Sequence, residues 1–146
     1  MAKAFSIEDG NLSNIPIFSS IAKKYKDIDL TFEKKPTGDV YKKEDAAAVK
    51  QAVKNLLLTN YYEKPFQPFY GGDLNRFLFD LSEGFDVLEI KEQILTAIDT
   101  YEPRAEVQAI NADVSPDQNR VNITVVFRVI NTTDTVQLDL SIARLR

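Results

Sequence analysis

The 146-residue chain contains no cysteine, no histidine and no tryptophan. Without cysteine there are no disulfides and no thiolate nucleophile, which fits a reducing compartment. Without histidine, Ser-His-Asp and Cys-His machinery is excluded, and so is ordinary zinc ligation. Glycine is scarce, and neither GxGxxG nor GxxxxGK[ST] appears; Gly71-Gly72 alone is too weak to count as a phosphate loop. The acids form no EF-hand loop. No catalytic, cofactor-binding or metal-ligating residue is therefore assigned. No apolar run approaches bilayer length, and Met1 to Glu8 lacks the apolar core of a signal peptide, so the protein is expected to be used without crossing a membrane as a precursor. A net charge of −4 argues against non-specific binding to nucleic acid or to an anionic membrane.

What is present points to one domain, with a short arm ahead of it. Residues 1–24 carry a turn at Asp9-Gly10-Asn11 and an aperiodic apolar scrap, Asn14 to Phe18. They read as an N-terminal arm, which Ile15, Ile17 and Phe18 could dock on a neighbour. Residues 25–146 read as a single α+β domain. Asp27 to Phe32 alternates polar with apolar and predicts a half-buried strand, with a turn at Lys35 to Asp39. A helix over about Lys43 to Thr59 places Ala46, Val49, Val53, Leu56 and Leu57 on one side. Asn60 to Gly72 is dense in aromatics and prolines; its rings are expected to plug gaps between packed elements rather than to face a ligand. Asp73 is expected to cap a short helix with Leu74, Phe77, Leu78 and Leu81 inward.

The next helix begins after Ser82-Glu83-Gly84. Asp86 and Glu89 have capping-box spacing, Phe85 and Ile90 suit a hydrophobic staple, and Val87, Ile90, Ile94 and Ile98 form the buried face. Pro103 should end it near Thr100 or Tyr101 and hold Glu102 extended. Glu102 and Arg104 then project the same way, displaying a carboxylate and a guanidinium about a fixed proline. The pair could instead satisfy itself, contributing about 0–1 kcal/mol if solvent-exposed. Beyond it the period changes to two. Ala105, Val107 and Ala109 share a face, a loop spans Asp113 to Asn119, and Val121 to Val129 and Val136 to Ile142 form a hairpin around Asn131-Thr132-Thr133-Asp134. Helices packed on an antiparallel sheet with a C-terminal β-hairpin make an α+β fold whose last strand leaves an open edge. Carboxylate hydrolysis remains conceivable, through Asp27 with Asp29 or Glu102 with Glu106.

Several stretches in this order carry a family resemblance. They are Tyr25-Lys26-Asp27-Ile28-Asp29-Leu30, Thr37-Gly38-Asp39-Val40, the helix Ala46 to Thr59, Glu63-Lys64-Pro65-Phe66, Gly71-Gly72-Asp73-Leu74, Leu78-Phe79 and Tyr101-Glu102-Pro103-Arg104-Ala105. The series, from about Tyr25 to Val107, resembles the sheath-initiator proteins of the baseplate wedge in contractile-tailed phages, with counterparts in R-type pyocins and type VI secretion baseplates. The stretch before Lys24 departs from the family pattern, and the C-terminal strands match in pattern only. The resemblance implies structural work: Glu102, Pro103 and Arg104 grip the helical wedge core bundle, and the strand-rich part templates the first ring of tail sheath subunits by strand addition. It implies six copies per baseplate, with tail tube or hub proteins as candidate partners of the arm. The location implied is the virion tail baseplate, reached from the host cytoplasm during assembly. Because the family has also carried a lysozyme label, a peptidoglycan hydrolase is the alternative. Arg104→Glu is expected to fold yet fail to enter wedge complexes, and a cut after Asn131 to spare wedge binding while abolishing sheath polymerisation.

Overall fold

The computed structural model describes residues 25–79, 87–115, 118–130, 132 and 135–143. The expectations for the arm, including Ile15, Ile17 and Phe18, lie outside them. So do those for Leu81 to Asp86, for Pro116-Asp117, and for Asn131, Thr133 and Asp134 of the hairpin turn.

The predicted strand at Asp27 to Phe32 is shorter and more exposed than its alternation suggests. Only Lys26–Ile28 (β1) is strand, paired antiparallel with Lys42–Glu44 (β2). The chain then turns away, because the Asp29 carboxylate accepts a bond from the Thr31 backbone N–H at 3.0 Å, and the Phe32 N–H donates to the Asp29 carbonyl at 3.2 Å. An aspartate that bonds the backbone two residues on competes with a sheet ladder, and here it wins. Buried Gln51 ties this ribbon down: its amide nitrogen donates to the Ile28 carbonyl at 2.8 Å.

Helix α1 spans Asp45–Leu58 and buries Val49, Val53, Leu56 and Leu57, as the spacing predicts. It starts two residues late because Lys43 and Glu44 belong to β2 and Asp45 is left-handed, with φ 48°. Its C-terminal end is met by the Gly71-Gly72-Asp73 turn. The Gly72 N–H donates to the Leu56 carbonyl at 3.0 Å and the Asp73 N–H to the Thr59 carbonyl at 3.3 Å. A Cβ on Gly71 (φ 131°) would stand 2.3 Å from the Thr59 oxygen, so this approach admits only glycine. Leu74–Leu78 is 3-10 rather than α-helical. Leu74, Phe77 and Leu78 are buried as expected, but Asp73 makes no side-chain cap and is itself left-handed.

Helix α2 spans Val87–Tyr101, burying Ile90, Ile94 and Ile98, and ends where Pro103 requires. The sheet order is β3 (Ala105–Ser115), β4 (Arg120–Val129), β5 (Thr135–Ala143), antiparallel throughout. Register builds inward rows: Val107–Phe127–Val136, Ile110–Val125–Leu138, Ala112–Ile123–Leu140 and Val114–Val121–Ile142. These pack with both helices into one apolar core. Ala109 is not in that core. The register slips between Val107 and Ala109, leaving Gln108 unpaired as a bulge and turning Ala109 outward. β3 also runs to Ser115, into the predicted loop. The opposite face is polar, with Thr124 donating to Asp139 at 2.8 Å and Arg128 paired with Glu106 at 2.5 Å.

Candidate functional site

The corner between α2 and β3 is held from every side. The Glu102 N–H closes the helix on the Ile98 carbonyl at 2.8 Å, the Ala105 N–H donates to the Glu102 carbonyl at 3.0 Å, and the Ile130 N–H donates to the Arg104 carbonyl at 2.9 Å. Glu102 and Arg104 do point the same way, but toward each other. Arg104 Nε donates to Glu102 Oε1, and its Nη2 to Oε2 at 2.7 Å. Glu102 is only 6% exposed, so the expectation of a displayed carboxylate is corrected: it is an internal anchor. The Arg104 side chain remains 37% exposed, with its guanidinium 5.2 Å from the Tyr25 ring centre. The Glu102 hydrogen bonds push the Arg104 pKa above its ordinary value against the pull of burial, with the charges of Glu102, Tyr25 and Asp27 adding to the effect. What faces outward is exposed Pro103 beside a cation locked in place.

The aromatic loop abuts this corner. Tyr101 donates its hydroxyl to the Phe69 carbonyl at 3.0 Å, and its ring meets Tyr70 edge-on at 5.0 Å. Burial, and behind it the charge of Glu102, raises the Tyr70 phenol pKa. Lys64 lies 3.7 Å above the Tyr70 ring. Tyr61 is anchored by Gln93 at 2.5 Å. Yet Tyr62, Phe66 and Phe69 stand exposed, Phe66 completely. These three do not plug the core, which corrects the expectation for them, whereas Tyr70 packs against the core as expected. Tyr62 and Phe66 adopt φ of 67° and 65°, a conformation that costs bulky residues of order 1–3 kcal/mol each and persists only where surroundings enforce it. The enforcement is visible: the Tyr62 N–H donates to the Pro68 carbonyl at 2.7 Å, and Glu63 accepts from the Asn60 N–H at 2.9 Å and from its side chain at 2.7 Å. Tyr62 and Phe69 are in ring contact at 6.1 Å, with Phe66 exposed on the same loop, and exposed apolar rings on a braced loop mark an interaction surface.

The third feature is the sheet's border. β5 is terminal in the sheet, and among the described residues no other strand pairs along its outer side.

Residues 43–134, from β2 through both helices and the corner to the β4–β5 turn, match the model of the baseplate wedge protein gp25 family. The chain belongs to this family. It is 27% identical over 126 residues to baseplate wedge protein gp25 of Enterobacteria phage T4, covering 86% of this chain and 96% of that gp25. A chain in the cryo-EM structure of the six-fold symmetrised anti-feeding prophage baseplate superposes with a TM-score of 0.64 at 21% identity, covering 77% of this chain and 91% of the other. A Geobacter sulfurreducens protein provisionally described as a tail lysozyme superposes with a TM-score of 0.52 at 20% identity, covering 67% and 89%. At these identities the two solved structures establish the gp25-type fold and nothing finer. Three of the four candidate carboxylates are in ion pairs. Glu102 is taken by Arg104, Glu106 by Arg128, and Asp29 by Lys43 at 3.2 Å. A backbone bond from Thr31, opposed by burial and aided by Lys43, holds Asp29 below its ordinary pKa.

Proposed function

We propose that this protein is a structural component of a contractile-tail baseplate wedge that joins two kinds of partner. The outer side of the Glu102-Pro103-Arg104 corner, flanked by Tyr62, Phe66 and Phe69, docks on the helical core bundle of the wedge. The free edge of β5 receives strands from the first ring of tail sheath subunits. The observation that carries the reading is the immobilised Arg104. A guanidinium fixed by a buried carboxylate keeps outward donors in one orientation, so little side-chain freedom is lost when a partner meets it. Membership of the baseplate wedge family supports partners among other baseplate proteins and a place in the virion tail, with six copies following from sixfold symmetry. A passage through the host cytoplasm during assembly and contacts of the arm with tube or hub proteins belong to the same proposal.

The direct experiment is co-purification with the other wedge proteins. Arg104→Glu is unsuitable, because it would set two carboxylates face to face in a half-buried corner. Arg104→Lys retains the charge and one bond to Glu102 but loses the planar fork, and is expected to fold and to enter wedges poorly. Normal incorporation of that folded variant would remove the corner from the account. The peptidoglycan-hydrolase alternative has against it that Asp29 is held below its ordinary pKa by the Thr31 backbone bond and that Glu102 is engaged at both oxygens by Arg104, whereas glycoside hydrolysis needs one free acid with a raised pKa. Release of muropeptides by the purified protein, abolished by one carboxylate-to-amide change, would reinstate it.

A further inference from the structure

Among the described residues neither outer strand of the sheet has a partner on its outer side, but the two borders are not equivalent. β3 is interrupted by the bulge between Val107 and Ala109, a device that discourages an edge from pairing. β5 keeps unbroken register with β4 from Thr135↔Arg128 to Ala143↔Arg120. Its border is the regular one. Beside it, where α1 overhangs β5, lies a cleft of about 410 Å³ whose lining includes Leu30, Lys43, Lys50, Lys54 and Leu138. Lys50 and Lys54 are one helical turn apart and exposed. Among the described residues no carboxylate lies within ion-pair distance of either. The cleft's own acid, Asp29, is already neutralised by Lys43 at 3.2 Å. Asp139, on the opposite face of the sheet, is hydrogen-bonded by Gln137 and Thr124 and feels the Lys50 charge only as a weaker contribution, with no ion pair between them. A chain with a net charge of −4 thus holds two lysines outside any ion pair among the described residues, above the strand border best formed for pairing.

We infer that β5 is the accepting edge and that it selects an extended segment carrying carboxylates on the side facing α1, with Lys50 and Lys54 as the selecting residues. Alternate side chains of an added strand would enter the cleft. An apolar one would meet Leu138, and acidic ones would meet the lysines while backbone groups complete the ladder. This rests on the strand-addition reading above and specifies its partner's chemistry.

The test uses the full chain, wild type and Lys50→Glu/Lys54→Glu, with the tail sheath protein of the same particle as probe. Amide hydrogen exchange is followed along Thr135–Ala143. Both substituted positions are exposed, so circular dichroism and the melting temperature should match wild type. Sheath protein is expected to slow exchange in β5 of the wild type. The double charge reversal is expected to weaken binding about tenfold or more, with the difference shrinking as salt is raised. Slowed exchange with equal affinity, or a loss indifferent to salt, overturns the lysine selection while strand addition stands. Unchanged β5 exchange in the wild type overturns strand addition, and the inference with it.

Discussion

At the corner, hydrogen-bonding capacity is turned inward; along β5 it is turned outward. Both Glu102 oxygens are engaged by Arg104, and the Glu102 and Arg104 carbonyls are satisfied within the fold. The outer side of β5 carries backbone donors and acceptors that no other strand among the described residues takes up. The two regions suit different ways of recognising a partner. A locked corner offers fixed shape and one oriented cation, so docking orders little that was loose. A regular edge offers main-chain bonds to any extended segment, so its specificity has to come from side chains beside it.

The largest expected effect comes from the turn that closes α1 beside the aromatic loop. Gly71→Ala places a Cβ against the Thr59 oxygen, at 2.3 Å, on a backbone with φ 131°. It should destabilise the fold by about 3 kcal/mol or more in urea denaturation. Next comes the corner itself. Arg104→Met strands the buried Glu102 carboxylate and should lose about 2–3 kcal/mol, much of it recovered when Glu102→Gln is added. A double-mutant cycle with no coupling would mean the corner is not locked. Phe66→Ser sharpens the contrast between stability and docking. Its ring is fully exposed, so stability should move by no more than about 0.5 kcal/mol, while association with wedge proteins weakens about tenfold. The smallest effect is with acid. Asp29, Glu63 and Asp139 have folded pKa values below their ordinary 3.8, 4.5 and 3.8. Depressed carboxyl pKa values give stability that is complete above the unfolded values and lost as pH falls through the folded ones. Melting temperature should therefore be flat above about pH 5 and decline below it, less steeply in Glu63→Gln.

A truncation after Asn131 cannot separate the two functions. It removes Leu138, Leu140 and Ile142 from the core as well as the edge from the sheet, and should unfold the chain.

Where one face of an element is buried throughout, the sequence is legible. Ile90, Ile94 and Ile98 reported their helix, and the strict alternation of Val121 to Val129 and Val136 to Ile142 reported the hairpin's inner face. Pro103 announced the corner because its ring constrains the preceding residue whatever the context. The bulge was harder to see. Its trace is a change of phase, from odd Ala105 and Val107 to even Ile110, Ala112 and Val114, with no glycine or proline to flag it. Exposure was not legible at all in the aromatic loop, since ring size predicts burial on average and says nothing of a loop braced with its rings outward. Spacing placed Glu102 and Arg104 where each could satisfy the other, but it could not decide between pairing and display, because the burial of Glu102 depends on how the corner packs after the chain has folded. The Asp27 to Phe32 alternation failed for a local reason: Asp29 turned its own backbone.

The most direct measurement is a cryo-EM map of the assembled baseplate with this protein in place. The account predicts a sheath strand running about 4.8 Å from β5 along Thr135–Ala143, with Arg104, Pro103 and Phe66 seated on neighbouring helices. A bare β5 edge, or a corner facing solvent in the finished assembly, would contradict it.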